Sequence, residues 1–371
     1  MRKTLLTFSF LMLLVLTATA QKSNRKYAMY GIAFYNLENL FNTIHDDGKN
    51  DYEYLPDGNN KWGKLKYENK TRNMARVLSE LCTEKIKVGP AVIGLSEIEN
   101  RQVLEDVLKE PTLSGRGWEI CHEEGPDRRG VDCAFFYNPK MFKYESHMLV
   151  PYFYLDENQP DVDLGFYVDE NNKVVPYTEL KGDTAHITRG FLVMTGTLAG
   201  EKFHFIACHW PSRFAGSPVR ERAGDQVYAL KEALLKQDPG SHIVIMGDLN
   251  DDPDSPSLAK SLKCKYKQED AGPSDMYNPW KEMLRDKGQG TLLYGGQWNL
   301  FDQIIISGNL LGRDRRTLKF LNNRVFVRDY LFQQEGRYKG GPLRTHAGGT
   351  WLNGYSDHLP TFIYLVKEIQ K

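Results

Sequence analysis

The chain has 371 residues, with 48 Lys and Arg against 48 Asp and Glu, 41% hydrophobic residues and 26% charged ones. These values exclude collagen, coiled coil and wholesale disorder, and the length suffices to bury a large core. Zero formal net charge argues against a protein that holds nucleic acid mainly through a basic field, though not against an enzyme that touches a few phosphates.

In chain order, Arg2 and Lys3 precede an apolar stretch from Leu5 to Leu16, and Ala18-Thr19-Ala20 gives a small-x-small pattern before Gln21. Residues 1–20 read as a secretory signal peptide, because the apolar part is short for a bilayer span of ~20 residues. The expected product is exported, periplasmic or extracellular, and has no stable membrane anchor after cleavage. Residues 21–29 read as a short linker and 30–371 as one domain.

Tyr30–Tyr35 is a β-prone run ending at Asn36. Met74, Val77, Leu78 and Leu81 recur at i, i+3, i+4 and i+7, the mark of an amphipathic helix, which Pro90 punctuates. Ala91–Leu95 is a compact apolar strand ending at Ser96-Glu97, and Val131–Tyr137 is another, closed by Asn138-Pro139. The polar, acid-rich segment Asp156–Asp183 reads as a long surface excursion. Phe191–Leu198 and Phe203–Cys208 form a strand pair turned at Gly200. Gln226–Lys236 is a helix, and Ile243–Met246 a buried strand opening into Gly247-Asp248-Leu249-Asn250. Ile304–Ile306 and Phe362–Val366 complete the series. Strands interleaved with helices predict an α/β domain of mixed sheets covered by helices.

Five cysteines occur, at 82, 121, 133, 208 and 264, without a C-x-x-C spacing, which disfavours structural zinc. Cys133 and Cys208 lie in apolar runs and read as small buried hydrophobes.

The informative feature is where polar residues fall. Asn36 and Glu38 follow the first strand, Glu97 the second, His209 the run Phe203–Cys208, and Asp248 and Asn250 the run Ile243–Met246; Asp302 precedes Ile304–Ile306, and Asp357 and His358 precede the last strand. Polar groups at strand ends can converge on one rim of a sheet while the core supplies rigidity. Carboxylate and amide oxygens suit Mg²⁺ or Mn²⁺. Histidines beside carboxylates suit proton transfer or oxyanion stabilisation. Together they describe metal-assisted attack on a phosphate ester.

Six motifs occur in order: FYNLEN at 34–39, GLSEIEN at 94–100, CHWPS at 208–212, GDLN at 247–250, FDQII at 301–305 and SDH at 356–358. The series resembles that of the endonuclease/exonuclease/phosphatase superfamily, the deoxyribonuclease I-like fold, in the style of its secreted bacterial nucleases. The resemblance implies a four-layer α/β sandwich with two packed mixed sheets and the site at one edge. It further implies Glu97 as the principal metal ligand, with Asn36 and Glu38 near the same ion and Asp357 as a further ligand. By the same carry-over Asp248 orients or deprotonates the attacking water, and Asn250 helps hold the scissile phosphate or a metal. His358 contacts that phosphate, Asp302 orients His358, and His209 protonates the leaving oxygen.

Plainer roles compete for several residues. His45, Asp46 and Asp47 read as a polar loop rather than metal ligands. Arg128-Arg129-Gly130 fits a phosphate grip or an exposed turn equally well, and Arg213, Arg220 and Arg222 fit substrate steering or solvated charge. Arg313, Arg315 and Arg316 read as a solvated loop. Trp210 fits base stacking or core packing. The stretch 299–303, Asn-Leu-Phe-Asp-Gln, departs from the Pro-x-Trp-Cys-Asp-Arg of the phosphoinositide branch, and Leu149–Tyr154 contains Pro151 and makes a poor membrane-docking hairpin. The expectation is therefore a monomeric, exported, Mg²⁺- or Mn²⁺-dependent phosphodiesterase, an endonuclease or exonuclease hydrolysing DNA or RNA ahead of any other phosphodiester. A phosphatase or sphingomyelinase-type enzyme of the same fold, and a secreted binding protein without catalysis, are the alternatives.

Overall fold

Two sheets face each other because their strands bury both faces. The computed structural model describes residues 25–153, 164–177, 187–336 and 338–369, so the leader expected at 1–20 lies outside the described residues. The principal elements are β1 (Tyr27–Leu40), α1 (Lys64–Glu80), β2 (Val92–Ile98), α2 (Arg101–Lys109), β3 (Glu119–His122), β4 (Asp132–Tyr137) and β5 (Phe142–Phe153). They continue with β6 (Ile187–Leu198), β7 (Glu201–His209), α3 (Ser217–Gln237), β8 (His242–Asp248), β9 (Met276–Tyr277) and α4 (Trp280–Arg285). The last are β10 (Asp302–Ser307), β11 (Lys319–Val325) and β12 (Thr361–Glu368).

Each sheet has six strands, in the orders β11-β12-β1-β2-β4-β3 and β9-β10-β8-β7-β6-β5. Both carry one parallel pair near the centre, β1 with β2 and β7 with β8, flanked by antiparallel neighbours. The two sheets thus have the same plan.

Residue alternation assigns the layers. Ile32 and Phe34 of β1, Phe203 and Phe205 of β7, Val244 and Met246 of β8, and Ile304 and Ile306 of β10 point between the sheets and form one core. Ala33 and Tyr35 of β1 point the other way and pack under α1 and α2 with Met74, Leu78 and Val103. Ile243 and Ile245 of β8 pack under α3 with Val227 and Leu230. The result is helix, sheet, sheet, helix, the four-layer sandwich. The close approach at its centre needs Gly94, where a Cβ would stand 2.4 Å from Met246 Sδ.

The structure differs from the sequence reading at several boundaries. β1 begins at Tyr27, so residues 27–29 are strand rather than linker: Tyr27 pairs with Glu368 and Met29 with Val366. It also continues past Asn36 to Leu40 through a register shift. α3 starts at Ser217 rather than Gln226 and runs through Gly224, where a Cβ would meet the Ser257 carbonyl at 2.4 Å. Within the expected surface excursion, the described part holds a ribbon of Phe166–Val168 against Val174–Pro176; the remainder of Asp156–Asp183 lies outside the described residues. All five cysteines are buried and free. No helix among the described residues is long and apolar enough to cross a membrane.

Candidate active site

The inter-sheet face of each central strand turns polar at the same end. Period-2 alternation puts Asn36 on the face of Ile32 and Phe34, His209 on that of Phe203 and Phe205, and Asp248 on that of Val244 and Met246. Asp302 likewise shares the face of Ile304 and Ile306. Strand register then sets them level: Asp248 is paired with His209 on one side and with Asp302 on the other. Gly247 before Asp248 fits tightly against the neighbouring strand of its own sheet, since a Cβ there would stand 2.2 Å from the Cys208 carbonyl oxygen.

Across the gap, Asn36 Nδ2 donates to Asp248 Oδ2 at 3.0 Å, while Asn36 Oδ1 accepts from the Glu38 amide. Glu97 is the bulged residue of β2, between Ser96 and Ile98, and holds a non-glycine φ of +58°. Its Oε2 accepts from the Asn39 amide at 2.9 Å, and Oε1 lies 3.7 Å from His209 Nε2. Glu38, Asn39 and Asn250 also hold positive φ, at +47°, +52° and +51°. Left-handed backbone at non-glycine residues is costly and gathers where surrounding structure enforces it, often at functional sites.

His358 Nδ1 is paired with Asp302 Oδ2 at 2.7 Å, which leaves Nε2 facing the cleft, 3.7 Å from Asp248 Oδ2. Burial alone would push this imidazole down, but Asp302, Asp248 and Asp357 hold it well above its ordinary value. His209 is the opposite case. Burial, Arg189 and Arg129 hold it well below its ordinary value, so it is neutral. Burial raises the Asp248 carboxyl; His358 opposes that shift while Asp302 and Glu97 add to it. Asn250 donates its backbone N–H to Asp248 Oδ1 and its amide to the Trp210 carbonyl.

Two groups of ligand-type atoms result, Glu97–His209–Asp248 and Asp248–Asp302–His358, the atoms of each lying within 4.8 Å of one another. Glu97, His209, Asp248, Asn250, Asp357 and His358 line one open cleft of about 660 Å³. Asp302 and Asn36 support it from below. Glu38 and Asp357 belong to neither group, although Asp357 shares the cleft wall with Glu97. Glu38 is buried and accepts from the Thr345 amide, with Arg344 at 3.4 Å and Lys70 at 3.8 Å, and Asp357 pairs with Arg344.

The open alternatives also resolve. Trp210 is core, 1% exposed. Arg129 and Arg213 line the cleft, whereas Arg220 is buried against Asp251 at 2.9 Å. His45 pairs with Asp51 in a turn, and Arg313 and Arg316 lie on an exposed loop with Arg315 half-buried there, as read from sequence. Arg189 and Arg344, like Lys70, escaped the sequence reading. Arg189 of β6 donates to the His209 and Trp210 carbonyls and to Asp127 Oδ2. Arg344 bridges Glu38 and Asp357. Neither belongs to a motif; only the fold brings them to the rim.

Comparison with known proteins follows the same outline. The model of the Endonuclease/Exonuclease/phosphatase family matches residues 31–162 and 156–367. No curated protein matches. A Bacteroides thetaiotaomicron endonuclease/exonuclease/phosphatase family protein superposes with a TM-score of 0.52 at 14% identity, covering 94% of this chain and 98% of its own. The human nocturnin catalytic domain with bound sulfate anion gives 0.52 at 14% identity, covering 93% and 98%. The mannosyl-6-phosphatase Bt3783 of Bacteroides thetaiotaomicron gives 0.50 at 14% identity, covering 91% and 99%. At such identities the likeness shows the fold, the deoxyribonuclease I-like sandwich. With the family model spanning nearly all of the described chain, this protein belongs to the endonuclease/exonuclease/phosphatase family and is a phosphoric ester hydrolase.

Proposed function

We propose that the chain is an exported, divalent-metal-dependent phosphodiesterase that hydrolyses nucleic acid, with Glu97, Asp248 and His358 at its centre. The observation that carries this reading is the convergence of the Glu97 and Asp248 carboxylates with the Asp302-paired imidazole of His358 at one rim of the sandwich. The donor set fits a hard divalent cation. Burial and neighbouring carboxylates push Asp248 up, the mark of negative charge without enough compensation, and oxygen-rich donors are what Mg²⁺ or Mn²⁺ takes. Glu97 and Asp248 would hold it, with His209 Nε2 alongside; Asn36 fixes Asp248 by its amide.

When bound, such an ion neutralises the non-bridging oxygens of the ester and the charge that grows on them. The chain's own groups do the rest. Asp248 Oδ2 orients the attacking water and takes its proton. Asp302 keeps the His358 Nδ1 proton in place, so that Nε2–H donates to the phosphate oxygen as negative charge develops. Neutral His209 donates or ligates rather than acting as a cation. The export signal read in residues 1–20 supports an extracytoplasmic setting.

The test incubates the purified mature chain with Mg²⁺ or Mn²⁺ and plasmid DNA, RNA, sphingomyelin, inositol phosphates and a hexose 6-phosphate, with EDTA and Asp248→Ala as controls. Metal-dependent cleavage of DNA or RNA supports the reading. Turnover confined to the monoesters or the lipid overturns it.

A further inference from the structure

The cleft has one wall whose chemistry the hydrolysis of a phosphate does not use. Phe214 is 100% exposed on the turn after β7, and Tyr294, 52% exposed, stands on the ribbon Leu292–Tyr294 with Gln297–Asn299; both line the cleft with His358 and Asp248. Arg213, the residue before Phe214, lines the same cleft. Its guanidinium edge is occupied: Nε donates to the Asn250 carbonyl at 3.3 Å, Nη1 to Asn299 Oδ1 at 2.9 Å, and Nη2 pairs with Asp252 at 3.3 Å. One face lies over the Phe301 ring, 4.3 Å from its centroid, and the Tyr294 ring is 5.8 Å away. A guanidinium whose three nitrogens are each already engaged offers less to a phosphate, which wants a bidentate fork. What Arg213 presents to the cleft is a flat, cationic face beside two aromatic ones.

A fully exposed phenylalanine beside catalytic groups gains nothing from the fold, because it buries no surface. Flat aromatic faces interleaved with guanidinium, beside a site for one phosphate, suit an unstacked nucleobase. Arg129, 46% exposed on the opposite side and only loosely paired with Asp127 at 3.8 Å, is placed to meet a neighbouring phosphate. A lipid surface is the less suited occupant, since it asks for several clustered apolar side chains and Phe214 stands among arginines, a tyrosine and carboxylates.

We infer that Phe214, Arg213 and Tyr294 form a base-stacking subsite, and that the substrate is a single-stranded nucleic acid presenting an unpaired base next to the scissile phosphate. This rests on the phosphodiesterase reading and narrows it.

The experiment measures binding and cleavage separately. Fluorescence anisotropy in EDTA compares a short labelled oligo(dT) with the same backbone carrying abasic spacers. The wild-type chain is expected to bind the base-bearing strand about fivefold or more tightly, a modest stacking contribution. That ratio should fall toward one in Phe214→Ala and Tyr294→Ala, and Phe214→Leu, apolar but without a ring, should not restore it. Melting midpoints check that the variants fold, as an exposed side chain predicts. Equal binding of both strands by the wild-type chain overturns the subsite, as does full rescue by Phe214→Leu. So does a Phe214→Ala loss confined to sedimentation with phosphatidylcholine–sphingomyelin vesicles. Oligonucleotide cleavage in Mg²⁺ with no base preference removes the subsite and leaves the phosphodiesterase standing. Absence of oligonucleotide cleavage removes the nucleic-acid phosphodiesterase reading, while the binding ratio still decides the subsite.

Discussion

Glu201, the first residue of β7, and Lys367, near the end of β12, form a 2.7 Å ion pair that ties one sheet to the other. His209 ends the same strand, so this tie stands roughly 26 Å from the cleft. The rim opposite the site is closed by charge, while the site rim is kept open.

Glu201 also pairs with His242 Nε2 at 2.8 Å and accepts from the Leu318 amide at 2.9 Å. Burial would raise its carboxyl, but the His242, Lys367 and Leu318 partners hold it down at about 2, against an ordinary 4.5. A carboxylate depressed in the folded state stabilises it above the unfolded value, and that contribution fades as pH falls through the folded one. Glu201→Gln should therefore lower stability by about 1 kcal/mol at pH 7. The gap between variant and wild type should narrow from pH 5 toward pH 2. Urea unfolding across that range checks it; a gap that persists unchanged at pH 2 would show that ionisation of Glu201 is not its source.

Gly94→Ala should destabilise by about 1–3 kcal/mol, because the added methyl meets Met246 Sδ at 2.4 Å and Phe34 at 3.1 Å between the sheets. Met246→Ala alone should cost about 2–5 kcal/mol as a cavity. The double variant should be less destabilised than the sum, since the cavity receives the methyl. A double-mutant cycle from denaturant melts reads the coupling, and strict additivity would place the contact elsewhere.

Much of this arrangement was legible in sequence, for a physical reason. A strand buried on both faces is a continuous apolar run, so its polar end stands out, and Asn36, His209, Asp248 and Asp302 were visible on that ground alone. β5 was not. Its Lys143-Tyr144-Glu145-Ser146 half alternates weakly and Pro151 argues against a strand, yet it is an edge strand, where proline is tolerated. α2 was hidden inside a motif. Asn100 is its N-cap, accepting from the Val103 amide at 3.2 Å, a role that the sequence reading left unassigned. The cations around the site were least legible, because Lys70, Arg189 and Arg344 owe their positions to long-range packing and to no local pattern.

Lys70 is the most buried of these, 2% exposed, and donates to Thr345 Oγ1 at 2.6 Å and to the Tyr355 carbonyl. With Glu38 at 3.8 Å it forms a buried pair that joins α1 to β1, while its bonds to Thr345 and Tyr355 reach the loop before β12. Burial pushes the Glu38 carboxyl up and the Lys70 ammonium down, and each partner opposes the other's shift. Lys70→Met should cost about 3 kcal/mol, because it removes one of the two cations beside a buried carboxylate and leaves the Tyr355 carbonyl without its donor. Adding Glu38→Gln should recover most of that loss. Failure of the second substitution to recover stability would mean that Lys70 acts through Thr345 and Tyr355 rather than through Glu38.

Asp302 donates nothing to the cleft directly, yet it should control turnover. It is fully buried, its Oδ2 holds His358 Nδ1 at 2.7 Å, and its Oδ1 has no partner among the described residues. Asp302→Asn keeps the shape and removes the charge that helps hold His358 protonated. The His358 value should fall, since burial then acts with one opposing carboxylate fewer. Hydrolysis near neutral pH should drop about 10²–10⁴-fold, the usual span for a proton donor in the transition state. The deficit should shrink as pH is lowered through the reduced His358 value, because the imidazolium is then restored by the medium. NMR titration of the imidazole, with kcat/KM followed over the same pH range, reads both effects. A rate deficit that stays constant with pH while the His358 titration moves down would show that the Asp302 charge serves geometry alone.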